Sequence, residues 1–147
     1  MKVAFEEAEK SNDPVTKVGC VYVNKNGIIA SKGHNSVNAN INIDLSKISR
    51  NYKRYLMTHA EVNAIKNMSN FQHKSLIAYC TLAPCIECIK LMYNIGVKKV
   101  YYDQLLGSNK TINMEKINAI RLLTNNTIEL INYSTGISFN DEIRILI

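Results

Sequence analysis

Val3, Ala4 and Ala8 recur at helical spacing among charged residues and give way to the turn-forming Ser11-Asn12-Asp13-Pro14, which predicts a short first helix over 2–11. The β-rich run VGCVYV (18–23), the Asn26-Gly27 turn signal and the apolar Ile28, Ile29 and Ala30 beyond it predict two antiparallel strands. Residues 36–58 are polar and aperiodic, with Lys47, Arg50, Lys53 and Arg54 interleaved by Tyr52 and Tyr55. A loop of that length is usually functional, but the three- and four-residue spacing of its basic side chains fits a solvated helix equally well.

After residue 58 two periods alternate. HAEVNAIKNMS (59–69) reads as a helix, SLIAYCTL (75–82) as a buried strand, CIECIKLMYNIG (85–96) as a helix closed by Gly96, and VKKVYY (97–102) as another strand. Within 113–126, Ile117, Ile120, Leu122 and Leu123 share a broad apolar face, and TIELINY (127–133) returns as a strand; from 134 neither period dominates. Strands separated by helices imply crossover connections, hence an α/β chain folded as a three-layer α/β/α sandwich around a mixed central sheet. At 147 residues the expectation is a single domain over 1–147 with one core.

An apolar share of 46% and a charged share of 20% exclude a disordered, collagen-like or fibrous chain. No apolar run approaches the roughly 18 residues of a bilayer span. The N-terminal MKVAFEEAEKSNDP is acidic where a secretory signal is apolar, so a soluble, cytoplasmic protein with no membrane partner is expected. The formal charge of +6 modestly favours anionic partners such as nucleotides or nucleic acid. Four cysteines in such a chain point to metal binding, catalysis or burial rather than to disulfides.

Cys20 and Cys80 lie mid-strand and read as small core residues, whereas His59-Ala60-Glu61 and Pro84-Cys85-Ile86-Glu87-Cys88 each open a predicted helix. Cysteines three apart at a helix start share one face, where the helix N-terminus favours the metal-binding thiolate. His59, Cys85 and Cys88 would supply three ligands and leave a fourth position open, the arrangement of catalytic rather than structural zinc. Zinc lowers the pKa of a bound water toward ~7, and Glu61, on the same turn as His59, can move its proton without being a ligand. Each fragment also has a plainer reading. Thr58 to Glu61 fits a T-x-x-E capping box, the two cysteines fit buried thiols or half of a closed site, and His59 fits a surface residue. Their coincidence in order favours the metal site; His34 and His73 are not expected as ligands.

With H-x-E followed by P-C-x-x-C, the sequence resembles the cytidine deaminase superfamily, and within it the deoxycytidylate (dCMP) deaminase family. SNDPVTKVG (11–19), GHN (33–35), HAEVNAI (59–65), TLAPCIECIKLMYNIGVKKVYY (81–102) and NAIRLL (118–123) follow that family's order and spacing. The resemblance implies a cytidine deaminase-like fold, zinc as cofactor on His59, Cys85 and Cys88, and Glu61 as the catalytic proton shuttle. It also implies Asn35 at the sugar or base, the backbone of Ala60 at the polar edge of the base, and Lys17 facing the nucleotide. The implied reaction is attack of zinc hydroxide on the amine-bearing ring carbon, protonation by Glu61 and loss of ammonia, converting dCMP to dUMP in a homo-oligomeric enzyme.

The chain departs from the family at GHNSVN, where members commonly read GYNGxP, so His34, Ser36 and Asn38 stand for an aromatic residue, a glycine and a proline. The segment before the catalytic helix lacks the cysteine and histidine run that would support a second, structural zinc. Lys47, Arg50, Lys53 and Arg54 are candidates to hold the phosphate, while Tyr52 and Tyr55 either stack on a base or pack beneath the loop. Two alternatives remain at this point, beside a lesser one in which a related family acts on free cytidine and deoxycytidine. A nucleic-acid editing deaminase would share the metal chemistry, though 7% aromatic residues and no tryptophan leave few stacking platforms for a polymer. A non-catalytic zinc-stabilised interaction module would use Glu61 only as a helix cap.

Overall fold

In the computed structural model, which describes residues 1–38, 40–69, 75–105 and 113–146, the predicted strands join one sheet. β1 (Gly19–Val23), β2 (Ile29–His34), β3 (Leu76–Leu82), β4 (Val97–Gln104) and β5 (Glu129–Asn132) lie in the order β2-β1-β3-β4-β5. β1 runs antiparallel to β2 and β3, while β3, β4 and β5 run parallel. Parallel neighbours need a crossover, supplied by α4 (Ile86–Asn94) between β3 and β4 and α5 (Met114–Thr124) between β4 and β5. The β1–β2 hairpin turns at Gly27, whose φ of 78° suits glycine, and the Asn24 side-chain oxygen accepts the Asn26 and Ile28 N–H groups across the turn.

The layers are unequal in thickness. Buried side chains of α3 (Ala60–Lys66), α4, α5 and α6 (Phe139–Leu146) merge with Tyr22, Cys80, Val100 and Leu130 into one hydrophobic cluster on one face of the sheet. α1 (Lys2–Ala8) packs over β1, β2 and β3 on the other face. Two glycines allow both approaches. A Cβ on Gly33 would lie 2.3 Å from the Ala64 nitrogen and 2.8 Å from the Ala60 oxygen in α3. One on Gly19 would lie 1.9 Å from the Ala4 oxygen in α1. Gly33 is paired with Cys20, so neighbouring Gly19 points to the opposite face, as the strand period of two requires.

Residues 40–58 are more ordered than their sequence pattern suggests. Asp44 caps a single 3-10 turn (Leu45–Lys47), and Ser49 caps α2 (Arg50–Leu56), the basic helix that was one of the two readings of this stretch. The segment is closed at its base by a backbone pair. Ser36 N–H donates to Thr58 O at 3.1 Å and Thr58 N–H donates to Ser36 O at 2.8 Å. The tail without a dominant period also folds: Ser138 Oγ accepts the Asp141 N–H at the start of α6, and Phe139 and Ile143, one turn apart, are buried. No helix among the described residues is long and apolar enough to cross a membrane.

Replacing Gly33 by alanine forces a methyl against α3 backbone that cannot rotate away. The expected cost is about 1–3 kcal/mol or more, measured as a lowered urea midpoint with an unchanged slope.

Candidate metal centre

The two helices that bear the candidate ligands each start one residue later than their sequence pattern suggests. His59 and Cys85 are therefore extended N-cap residues, with ψ of 151° and 168°, and neither side chain caps its own helix. Both side chains turn toward one point. His59 Nδ1 lies 3.6 Å from Cys85 Sγ and 3.4 Å from Cys88 Sγ, and the three donor atoms fall within 4.8 Å of one another. Zinc bonds of about 2.1 Å to nitrogen and about 2.3 Å to sulfur at tetrahedral angles place such atoms about 3.6 Å apart. The donor set and its spacing thus fit zinc, and among the described residues no fourth His, Cys, Asp or Glu joins the cluster.

The sulfurs are electrostatically unlike. Cys85 is pulled down to about 3, first by the hydrogen bond from the Cys88 thiol, against burial, and further by His59. Cys88 is pushed far up by the same bond to Cys85, by burial and by the charge of Glu61. A cation bound by both sulfurs would displace the remaining proton. Cys20 and Cys80 are core residues as expected, fully buried with their sulfurs 3.6 Å apart on paired strands.

Glu61 is 4% exposed. Burial raises its carboxyl above the usual range, while its own backbone N–H, the charge of His59 and a hydrogen bond with Cys88 pull it back. The capping-box reading fails here. The N-cap is His59 rather than Thr58, and Thr58 is occupied in the backbone pair with Ser36. The Glu61 side chain therefore points into the site, and the Tyr22 hydroxyl braces its backbone oxygen at 3.3 Å.

A cavity of about 380 Å³ opens beside the cluster, lined by His59, Ala60, Glu61 and Cys85. Asn35 lines it too, and its amide is held from two sides: Oδ1 accepts the Val18 N–H and Nδ2 donates to Thr16 O, each at 2.8 Å. An amide has two N–H groups and two lone pairs, so Asn35 keeps capacity for a ligand. Lys17 is not brought there. Its ammonium bonds Glu9 O at 3.3 Å and pairs with the Glu9 carboxylate at 3.7 Å, and it lines a separate pocket of about 120 Å³. Tyr52 and Tyr55, expected to stack or to pack inward, are 69% and 88% exposed and do neither, because α2 turns Arg50, Lys53 and Arg54 to the cavity instead.

Sequence reasoning missed the polar lattice behind this wall. Asp13 Oδ1 accepts the N–H groups of Val15 and Thr16 and the Lys53 ammonium at 3.0 Å, with both side chains of the ion pair nearly buried. Burial tends to raise the Asp13 carboxyl, but these three donors outweigh it and hold it below the usual carboxylate range. The turn signal SNDP marked Asp13, but nothing in the sequence pairs positions 13 and 53. Asn63 was missed likewise: its Nδ2 donates to His34 O at 2.8 Å and to Ser36 Oγ at 3.1 Å, locking α3 to the end of β2. His34 is engaged elsewhere, 2.9 Å from the buried Glu7 carboxylate, and His73 lies outside the described residues.

Comparison with known proteins agrees with this geometry. The family model for the cytidine and deoxycytidylate deaminase zinc-binding region matches residues 1–104. Deoxycytidylate deaminase of Mus musculus is 36% identical over 129 residues, covering 84% of this chain and 70% of the relative. The Homo sapiens enzyme of the same name is 34% identical over 131 residues, covering 85% and 71%. Among solved structures, the dCMP deaminase of cyanophage S-TIM5 in complex with dCMP and dUMP superposes with a TM-score of 0.65 at 26% identity, over 89% of this chain and 91% of that one.

His59→Ala and Cys85→Ser are each expected to abolish stoichiometric zinc in purified protein, read by elemental mass spectrometry, and to lower Tm as chelation lowers that of the parent chain. Lys53→Met leaves a buried carboxylate unpaired and is expected to cost about 3–5 kcal/mol at neutral pH. Because Asp13 is depressed in the fold, its contribution is present above its unfolded pKa of about 3.9 and is lost as pH falls through the lower folded value. The gap between the two urea midpoints should therefore narrow below pH ~4.

Proposed function

This chain belongs to the cytidine and deoxycytidylate deaminase family, and we propose that it works as a single zinc-dependent deaminase domain over 1–147 acting on dCMP. It is an enzyme that hydrolyses dCMP to dUMP and ammonia, with zinc as cofactor. The observation that carries the assignment of its machinery is the His59, Cys85 and Cys88 cluster with a buried carboxylate, Glu61, beside it in one cavity.

In this reading His59 Nδ1 and the two sulfurs hold the zinc, which when bound supplies a water of lowered pKa as nucleophile. Everything else falls to side chains of this chain. The Glu61 carboxylate takes a proton from that water and delivers it to the pyrimidine ring nitrogen beside the reacting carbon. It then carries the second proton to the departing amine, so water and dCMP leave as dUMP and ammonia with Glu61 restored. Its raised pKa suits this cycle, since a carboxyl titrating nearer neutrality both accepts and gives up the proton readily. Asn35, pinned by Val18 and Thr16, positions the sugar or the base, and the backbone of the fully buried Ala60 meets the polar edge of the base.

The interaction-module alternative loses its main support, because Glu61 does not cap α3. The nucleic-acid alternative finds no favouring observation in the cavity or among the relatives described above. A cytoplasmic location and assembly from several copies of the chain belong to the same proposal and rest on the family resemblance.

Glu61→Ala should retain stoichiometric zinc and the parent circular dichroism while kcat for dCMP falls by at least about 10²- to 10⁴-fold. Full turnover in that variant would refute the mechanism.

A further inference from the structure

The proton transfers need the Glu61 carboxyl at one fixed place, and the helix that carries it is short. α3 has seven residues and is held to β2 along a single stripe. The backbone of Ala60 and Ala64 lies against Gly33, Asn63 Nδ2 donates to His34 O and Ser36 Oγ, and Asn67 Nδ2 donates to Lys32 O at 2.9 Å. Positions 60, 63, 64 and the C-cap 67 share one helix face, and all of them meet β2 or the residues just beyond it. Glu61 stands about 100° around the helix from Ala60, off that stripe. The contacts with β2 therefore resist a shift of α3 better than they resist a roll about its axis.

Tyr22 acts off the stripe. It lies on β1, paired with Ser31 of β2 on one side and Ala78 of β3 on the other, and its side chain is wholly buried in the core beneath α3. Its hydroxyl donates to Glu61 O at 3.3 Å. Burial, with the charges of Cys20, Cys80 and Glu61 adding to it, pushes the phenol far above its ordinary value, so it keeps its proton and remains a donor.

Phenylalanine would fill the same space without taking a hydroxyl out of water, and a buried hydroxyl is destabilising unless it is bonded. Here the bond goes to the backbone of the residue that moves the proton. Two thiols extend the contact. The Cys80 thiol donates to Cys20 Sγ at 3.6 Å, and Cys20 in turn hydrogen-bonds the Tyr22 side chain. Glu61 O is thereby tied through β1 to β3, the strand that runs into Cys85 and Cys88, so both halves of the metal cluster share one anchor.

Resting on the proposed dCMP deaminase reading, we propose that Tyr22 is the positioning residue for Glu61: its hydroxyl sets the roll of α3 and with it the place of the carboxyl beside the reacting atoms. Tyr22 does not line the cavity, so losing the hydroxyl slows proton transfer and spares binding.

Tyr22→Phe keeps the ring and removes the hydroxyl. The measurements are the single-turnover rate of dUMP formation from dCMP in zinc-loaded parent and variant, dUMP affinity by calorimetry, zinc by elemental mass spectrometry, and amide hydrogen exchange across α3. The variant is expected to hold stoichiometric zinc and to bind dUMP within about twofold of the parent, while its single-turnover rate falls about 10-fold, since misplacement by ~1 Å can cost up to about 10²-fold. Exchange should quicken in α3 and stay unchanged in β3 and α5. Tyr22→Met, apolar and able to adapt to the space, takes the place of the phenylalanine variant if that one does not fold. A purely structural hydroxyl would lower Tm and leave the rate intact below the midpoint, so a parent single-turnover rate in the folded, zinc-loaded variant overturns the proposal. An equal loss of rate and dUMP affinity overturns it too, as does unchanged exchange in α3. A zinc-loaded parent chain that releases no ammonia from dCMP refutes the deaminase reading instead, and exchange in α3 still decides whether Tyr22 holds this turn.

Discussion

The site exists because two helix starts, 26 residues apart in the chain, are brought to a single point. His59 and Cys85 both occupy extended N-cap positions, so their side chains leave the helices sideways and meet, with Cys88 one turn further on closing the third corner. Neither helix could do this from a looser sheet. β3 ends at Leu82 immediately before the cysteines, and α3 is held against β2 by the absent side chain of Gly33 and by Asn63. α3 carries His59 at its start, so the close packing of β2 on α3 is part of the chemistry rather than a background to it.

The cavity beside that point has mixed polarity. It is lined by a buried carboxyl whose charge is disfavoured by its surroundings, by Asn35 with both ends of its amide anchored, and by the cationic side chains of α2. Among them Lys53 is paired with Asp13, and in the nearly dry environment they occupy each requires the other. The turn after α1, the end of β2 and the start of α2 are thereby tied together. Ser11 Oγ donates to Asn35 O, Asp13 bonds Lys53, and Val37 N–H donates to Asn12 Oδ1. Short-range hydrogen bonds of this kind hold the wall in position beside its apolar lining residues, among them Val18, Leu45 and Met57.

Much of this was legible in the residues. Period-two and period-3.6 runs located every strand of the sheet and its two crossover helices, and the spacing of His59, Glu61, Cys85 and Cys88 carried the metal chemistry because ligand geometry and helix pitch are both local. What escaped notice was non-local. Asp13 reads as a turn residue and Lys53 as one of several surface cations until the fold places them 3.0 Å apart. α2 lacked an apolar stripe because it meets the protein mostly through polar side chains, so periodicity could not separate it from a loop. The outward stance of Tyr52 and Tyr55 follows from the same cause, since a helix that turns its basic face inward must send its aromatic residues the other way.

The backbone clasp between Ser36 and Thr58 has an evolutionary reading. It seals residues 37–57 into a loop whose two ends are fixed beside each other, so the polymer cost of lengthening or shortening the interior is small, about 0.6 kcal/mol for each doubling. Downstream of the clasp the chain starts at His59, while the loop is tied to the rest of the protein through Lys53 on Asp13. Selection can therefore vary the interior of this module, and with it the molecule admitted, wherever that ion pair is kept. One inherited catalyst could thus diversify toward new metabolites by rewriting a single interval of its gene.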